Sequence, residues 1–209
     1  MSSSTPSRGQ VKAAITVSVD GYVTGPDDHE GQGLGIGGER LHYWVMGGPW
    51  TYETDHEPGV GMSEADEAYY AELLEGVDAG LCGRGMYDSS GAWGGTNPFG
   101  GRLFVVTHRT GDAPDPDTGF TFVDGFDAAL AAARQEAGDR DVFVAGGADV
   151  VRQALRAGVV DRLVVSVAPV VLGAGKRLFE GFTEDLDLEI RDVRHSAYAV
   201  HTSYAVVRG

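Results

Sequence analysis

Cysteine is almost absent from this sequence, since Cys82 is the single one among 209 residues. No disulfide can therefore form within the chain, which is typical of proteins from a reducing cytoplasm. Cys82 stands in the apolar run at 79–82, where a free thiol usually packs as a small hydrophobic group. We therefore expect a structural role for Cys82 rather than a catalytic one.

Long hydrophobic runs are missing as well. No stretch approaches the about 20 apolar residues of a membrane-spanning helix, so the sequence predicts no transmembrane segment. The first ten residues, MSSSTPSRGQ, are polar and lack the apolar centre of a secretory signal. We expect residues 1–10 to form a disordered tail and the protein to be cytoplasmic.

Positive charge is scarce: 16 basic side chains face 31 acidic ones, for a net charge of −15. Such a surface repels nucleic acids and anionic membranes, so neither is expected as a partner. An anionic ligand would depend on local basic groups. Arginines and histidines in loops therefore point to candidate binding sites.

Short β-branched and apolar segments recur along the chain, as is typical of buried strands. The clearest unit combines a strand, the turn Gly146-Gly147, a helix at 148–156 and a second strand, which predicts a parallel βαβ crossover. The predicted strands are residues 11–19, 79–82, 103–106, 121–123, 141–145 and 163–171.

Helical patterns lie between these strands. One helix is expected to begin at Ser63, whose hydroxyl can cap the first turn next to several acidic residues. Others are predicted directly after Gly83 and over 126–137. The helix that begins at Ser63 should bury one stripe of residues spaced four apart, namely Ala65, Tyr69, Leu73 and Val77.

The C-terminal part alternates apolar and polar residues over 186–190 and 198–206, which predicts an antiparallel hairpin at a sheet edge. The fold class is therefore α/β, with a mixed, mostly parallel sheet, helices on both faces and a C-terminal antiparallel hairpin. One domain should span residues 11–209. Its exposed edge favours a homodimer, although edges are also blunted within monomers.

Glycine or basic residues follow three predicted strands. Gly146-Gly147 can direct the N–H groups of a helix at an anion, or can simply make a tight turn. Arg84 offers a fork of donors suited to phosphate, or is a solvated surface residue. Residues 107–109, after the strand at 103–106, supply a hydroxyl, an imidazole and a guanidinium that could bind an anion. Alternatively, they form an ordinary polar turn. Together they favour a phosphate-rich, extended ligand such as a dinucleotide.

Residues 26–62 form a long segment without periodicity, a feature that is often functional in compact domains. Arg40, His42 and Trp44 in its GIGGERLHYW stretch suit a lid over a substrate. Alternatively, the stretch buries Trp44 against a second subunit. His42 has no second ligand at a suitable spacing, so no metal site is expected. Trp93 could wall the same pocket, or serve packing.

Several blocks resemble the dihydrofolate-reductase-like family: ITVSVDGYVTGPDD, LCGRGMYD, FVVTHR, VFVAGGADVVRQAL and DRLVVSVAPVVLGAGKRLF. They are most similar to the reductase domain of the bacterial bifunctional riboflavin biosynthesis protein and its stand-alone relatives. They follow that family's order over nearly all of residues 12–181. These 209 residues contain no deaminase-type pair of zinc-ligand motifs, so we expect a reductase-type domain alone.

The resemblance implies that NADPH lies across the strand ends. It places Gly83, Arg84 and Met86 on the adenosine and phosphate side, and Thr107, His108 and Arg109 around the 2′-phosphate. The pyrophosphate and nicotinamide ribose would be held by Ala145, Gly146, Gly147, Ala148, Asp149 and Val150. The nicotinamide would be lined by Thr16, Val23 and Gly25.

The resemblance leaves the source of the proton open. Hydride reduction of a C=N or C=O group also needs a proton for the developing negative charge. Asp20 is the acid of the well-matched SVDG block, and relatives with this block keep that acid beside the substrate. Asp20 is equally a normal turn residue before glycine. Glu67 matches the helix carboxylate of folate reductases by a gapless count, or merely offsets the helix dipole. Ser166 stands where a substrate-side hydroxyl would be, or is a small polar core residue.

These observations favour an NADPH-dependent reductase of a small heterocyclic (pterin- or pyrimidine-like) or carbonyl or imine compound. A flavin- or deazaflavin-dependent reductase is the first alternative, because the same glycine turns would accept a phosphorylated flavin. A non-catalytic, nucleotide-binding dimer is the second, because no proton donor is certain.

Overall fold

The computed structural model describes residues 8–53 and 61–207. The strands are β1 (Val11–Ser18), β2 (Tyr22–Thr24), β3 (Val77–Gly83), β4 (Arg102–Thr107), β5 (Phe120–Asp124), β6 (Asp141–Gly146), β7 (Arg162–Ala168), β8 (Lys176–Arg177), β9 (Leu188–His195) and β10 (Val200–Val206). The α-helices are α1 (Tyr43–Met46), α2 (Glu64–Leu74), α3 (Arg84–Ser89), α4 (Phe126–Ala137) and α5 (Ala148–Arg156). Short 3-10 helices cover Gly38–His42, Gly91–Gly95 and Pro116–Thr118. Most of the predicted N-terminal tail, residues 1–7, lies outside the described residues.

Eight strands form one sheet in the order β5-β4-β3-β6-β1-β7-β10-β9. Neighbours from β5 to β7 are parallel, whereas β10 pairs antiparallel with both β7 and β9. The mostly parallel α/β sheet with a C-terminal antiparallel hairpin is therefore confirmed. The pair β2 and β8 forms a separate two-stranded ribbon, which the sequence pattern did not predict.

Helices cover both faces of the sheet, as predicted. The side chains of α4 and α5 pack on one face around Val144 and Leu163. Those of α2 pack on the other face, around Val164. Leu163 and Val164 are adjacent in β7 and are both buried, because successive side chains of a strand point to opposite faces. A near-continuous apolar strand follows from this two-sided burial.

The predicted buried stripe of α2 is only partly correct. Ser63 is the N-cap and its hydroxyl accepts a hydrogen bond from the Asp66 N–H, as expected. However, Ala65 is exposed and Val77 belongs to β3, because the helix ends at Leu74. The buried residues of α2 are Asp66, Tyr69 and Leu73.

The long segment 26–62 is more structured than its sequence indicates. Within it, a 3-10 helix leads into α1, and the side chains of Leu41 and Trp44 are buried. The segment returns close to the end of β2, where a Cβ on Gly25 would lie 2.0 Å from the Ile36 carbonyl oxygen. Among the described residues, no helix has the length and apolar character needed to cross a membrane.

Candidate active site

A cavity of about 580 Å³ opens at the carboxyl ends of the parallel strands. This volume is within the range of small-molecule sites, and strand ends are where open α/β sheets bind ligands. Of the fifteen predicted cofactor contacts, eleven line it: Thr16, Val23, Gly83, Arg84, Met86, Thr107, His108, Gly147, Ala148, Asp149 and Val150. The others, Gly25, Arg109, Ala145 and Gly146, are outside this lining.

The turn from β6 into α5 forms one wall of the cavity. Gly146 has a φ of 121°, and a Cβ there would lie 3.3 Å from the Met86 sulfur. Gly147 is the N-cap of α5 and offers no side-chain cap. The first N–H groups of a helix lack partners within it and carry a partial positive charge. This wall therefore suits a phosphate group that approaches the backbone closely.

The cavity lining is less acidic than the rest of the chain. It includes four basic side chains and three acidic ones, whereas the whole chain has 16 and 31. The basic set is Arg84, Arg152, Lys176 and Arg177. A local excess of positive charge attracts an anion that the surface as a whole would repel.

One end of the cavity, at β3 and β4, carries ion pairs. Arg84 donates from its Nη2 to Asp112 at 2.6 Å and from its Nε to Asp88 at 2.6 Å. Arg109 also pairs with Asp88, at 3.1 Å, and its side chain is 68% exposed. The His108 Nδ1 lies 2.6 Å from an Asp124 carboxylate oxygen. The basic residues predicted to bind a 2′-phosphate thus lie together, but each has an acidic partner.

The other end of the cavity is lined by Thr16, Thr24 and His42. Burial lowers the pKa of His42 to about 4, so its imidazole is neutral at pH 7. The Thr24 hydroxyl oxygen is buried without a hydrogen-bond partner. A ligand with a polar edge would satisfy such groups at lower cost than leaving them unpaired. Thr24 had not been predicted as a site residue.

Trp44 lies beneath this end rather than in the cavity lining. It is buried in its own chain, and its indole N–H donates to the Thr16 hydroxyl at 3.1 Å. Its ring also contacts the imidazole of His201, with centroids 4.9 Å apart. Because Thr16 accepts from Trp44, its own O–H is left to point at a cavity ligand as a donor.

Asp20 has a structural position. Its carboxylate accepts hydrogen bonds from the Ser18 hydroxyl and from the N–H groups of Leu172 and Gly173, at 2.7, 3.0 and 2.8 Å. These bonds, that of Ser18 first, lower the pKa of Asp20 to about 2. A carboxyl with this pKa is ionised at pH 7 and carries no proton to donate. Asp20 is also outside the cavity lining, so the geometry does not fit the predicted role of proton donor.

The helix carboxylate that faces inward is Asp66, not Glu67. Glu67 is exposed, whereas Asp66 is 1% exposed. Asp66 accepts from His201 Nε2 at 2.9 Å and from the Ser63 hydroxyl at 2.6 Å. Glu67, which the gapless count selected, therefore lies on the outer side of the helix, and its role in proton supply stays a prediction.

Behind Trp44, the buried polar side chains form one chain of hydrogen bonds. The Ser166 oxygen lies 2.7 Å from His201 Nδ1 and 3.3 Å from the Tyr69 hydroxyl. Burial raises the pKa of Tyr69 to about 12 and lowers that of His201, so Tyr69 stays a donor and His201 stays neutral. One donor order satisfies every group: Tyr69 to Ser166, Ser166 to His201, and His201 to the Asp66 carboxylate.

Four other predicted residues do not reach the cavity lining. Ser166 belongs to the buried chain just described, and Arg40 is exposed with its Nε donating to the Gly37 carbonyl at 2.9 Å. Trp93 packs on Phe99 and Phe120, and Trp44 is buried as described. Of the residues predicted to bind substrate, only His42 is in the lining. In the described part of the chain, no cluster of His, Cys, Asp and Glu could hold a metal ion.

Known proteins share this fold. The model of the RibD C-terminal domain matches residues 10–203. An uncharacterised Bacillus subtilis protein, YwjB, is 28% identical over 65% of this chain and 77% of its own. A pyrimidine reductase-like protein of Corynebacterium diphtheriae has a TM-score of 0.58 and 15% identity, covering 96% of this chain and 93% of its own. Dihydrofolate reductase of Enterococcus faecalis, solved with NADP(H), has a TM-score of 0.56 and 16% identity, covering 95% and 97%. The chain belongs to the RibD C-terminal domain family.

Proposed function

We propose that this protein is an oxidoreductase that uses NADPH to reduce a small heterocyclic compound. The observation that carries the proposal is the cavity at the strand ends, which eleven of the predicted cofactor contacts line. Membership of the RibD C-terminal domain family supports the same reaction class. The similar fold of a dihydrofolate reductase solved with NADP(H) supports the choice of dinucleotide.

The residues of the cavity fit a dinucleotide. Gly147 and the start of α5 would hold the pyrophosphate, since no side chain caps that turn. Met86 and Gly83 would lie beside the adenosine half, and Thr107, His108 and Arg84 near its 2′-phosphate. Thr16 and Val23 would border the nicotinamide. Bound there, the cofactor would supply a hydride to the substrate.

The substrate is proposed to be a pyrimidine- or pterin-like ring with a C=N or C=O group. This class is supported by the similarity to a pyrimidine reductase-like protein and by the polar groups at the Thr24 and His42 end of the cavity. Neutral His42 can both donate and accept a hydrogen bond. We propose that it orients the substrate heteroatom through a hydrogen bond. The hydride would add to the neighbouring carbon, and a water molecule from the open cavity would supply the proton to the heteroatom and leave as hydroxide.

Trp44 is proposed as a positioning residue for this reaction. It fixes the direction of the Thr16 hydroxyl through the 3.1 Å hydrogen bond from its indole nitrogen. Orientation of a donor before the substrate arrives lowers the cost of binding. In this proposal Trp44 supports the cavity from beneath, whereas the sequence predicted either a lid or a subunit contact for residues 35–44.

We propose that two copies of the protein pair through the sheet face that is opposite α2. Leu188, Ile190, Val193 and Val200 are between 39% and 63% exposed. The pairing of β9 with β10 puts them on one face, whereas Arg194, on the other face, pairs with Glu72 of α2. An apolar sheet face of this kind is typical of protein interfaces.

The proposed activity is tested by mixing the protein with NADPH and a panel of pterins, ribosylaminopyrimidines, quinones and imines, and following NADPH oxidation by absorbance. Oxidation with a heterocyclic member supports the proposal. A yellow purified protein would instead indicate a flavin enzyme. Tight NADPH binding without any oxidation would indicate a non-catalytic protein. Arg84→Ala should weaken NADPH more than NADH, because Arg84 lines the cavity and only NADPH has a 2′-phosphate.

A further inference from the structure

The guanidinium of Arg84 has almost no free donors. Its Nη1 donates to Asp112 Oδ1 at 3.0 Å and to the Arg109 carbonyl oxygen at 3.2 Å. Its Nη2 donates to Asp112 Oδ2 at 2.6 Å, and its Nε to Asp88 at 2.6 Å. A guanidinium has five N–H donors, so one remains. Arg84 is also the arginine at this end of the cavity that belongs to the lining.

Asp112 binds Arg84 in the geometry that a phosphate would use. Both of its oxygens meet the two terminal nitrogens of the guanidinium, which is the paired fork contact that Arg makes with carboxylates and phosphates alike. Asp112 lies between β4 and β5, and its side chain is 58% exposed, against 15% for Arg84. The less exposed partner is thus the arginine, while the carboxylate is on the side open to solvent.

The charge around Arg84 opposes a second anion. Two arginines and one histidine face three carboxylates there: Arg84, Arg109 and His108 against Asp88, Asp112 and Asp124. With a neutral histidine the group has a net charge of −1. A 2′-phosphate would add up to two further negative charges. It can therefore use Arg84 as a fork only if Asp112 moves away.

We infer that Asp112 is a specificity-determining residue that occupies the phosphate fork of Arg84 and limits the preference of the site for NADPH over NADH. The inference rests on the proposed dinucleotide function. The exchange is feasible because the Asp112 side chain is 58% exposed, so water can replace Arg84 as the partner of its carboxylate. NADH has no 2′-phosphate, so it leaves the pair between Asp112 and Arg84 in place.

The test is calorimetric titration of the full chain with NADPH, NADH and adenosine 2′,5′-bisphosphate. Asp112→Asn keeps the size of the side chain and removes its charge. It should bind NADPH and the bisphosphate about fivefold more tightly than the wild type, the upper value for an exposed ion pair. NADH affinity should stay within about twofold. Asp112→Ala should behave in the same way.

Asp117→Asn is the matched control. Asp117 lies in the same connection between β4 and β5, and its backbone N–H is bonded to Asp115. This variant removes the same negative charge at a position that is not paired with Arg84. The affinities for all three nucleotides should therefore match those of the wild type. An equal gain in Asp117→Asn would assign the effect to net charge and overturn the role of Asp112.

Two further results separate a failure of the inference about Asp112 from a failure of the proposed function. If the wild type binds NADPH but Asp112→Asn shows no gain, or gains equally for NADH, the inference about Asp112 is wrong and the dinucleotide site stands. If neither the wild type nor any variant binds the three nucleotides, the proposed function and the inference both fail.

Discussion

His42 provides a quantitative test of the environment at the Thr24 and His42 end of the cavity. Burial lowers its pKa from the ordinary 6.5 to about 4, and each pH unit is worth about 1.4 kcal/mol. Protonating His42 in the folded protein thus costs about 3 kcal/mol more than in the unfolded chain. Between pH 6.5 and 4 the unfolded chain binds this proton and the folded protein does not. Stability from this source is complete above pH 6.5 and is lost as the pH falls towards 4.

The perturbation is His42→Gln, which retains a polar side chain that cannot be protonated. Urea unfolding of both proteins at pH 7, 5.5 and 4 measures the free energy of unfolding. The wild type should lose about 3 kcal/mol more than the variant over this range. His195→Gln, at an exposed position in β9, is the control and should follow the wild type. Parallel curves for His42→Gln and the wild type would show that the imidazole is hydrated, and would refute the reasoning.

Three further outcomes follow from the same geometry. Asp66→Ala should cost about 3 kcal/mol or more of unfolding free energy in urea, since it leaves buried partners unpaired, while Glu67→Ala should cost about 0.5 kcal/mol or less; equal costs would contradict the assignment of the inward carboxylate. Ile190→Asp should give a monomer in sedimentation analysis, and an unchanged mass would exclude the proposed β9 face. Trp44→Phe should raise KM for NADPH while the fold is kept, and an unchanged KM for NADPH would remove its positioning role.

Much of the fold could be predicted because the strands of a parallel sheet are buried on both faces. Runs such as VFVA at 142–145 are apolar for that reason. The glycine turn after it also marks the end of a strand, so its place in the site followed from the order of elements. The lengths and positions of these elements depend on the local sequence, so they could be predicted from it.

The missed features depend on contacts distant in sequence. Asp66 pairs with His201, which is 135 residues away, and only its spacing of three and seven from the buried Tyr69 and Leu73 could have marked it as inward-facing. The Asp112 carboxylate on Arg84 was missed for the same reason, because it lies 28 residues away in another connection. Asp88, by contrast, is four residues from Arg84 on the same helix, a spacing that the sequence does display. Trp44 is buried in an irregular segment with no periodicity that could indicate its direction.

The dinucleotide site is tested most directly by filling it. Gly147 lines the cavity, its φ of −69° and ψ of −167° allow a side chain, and a Cβ there meets no atom within 4 Å. Gly147→Leu should therefore fold but block the start of α5, whereas Ala157→Leu, at the exposed other end of that helix, is the control. Calorimetry should give one NADPH bound per chain for the wild type and Ala157→Leu, and none for a folded Gly147→Leu. Absence of NADPH binding by the wild type, or full binding by Gly147→Leu, would contradict the account.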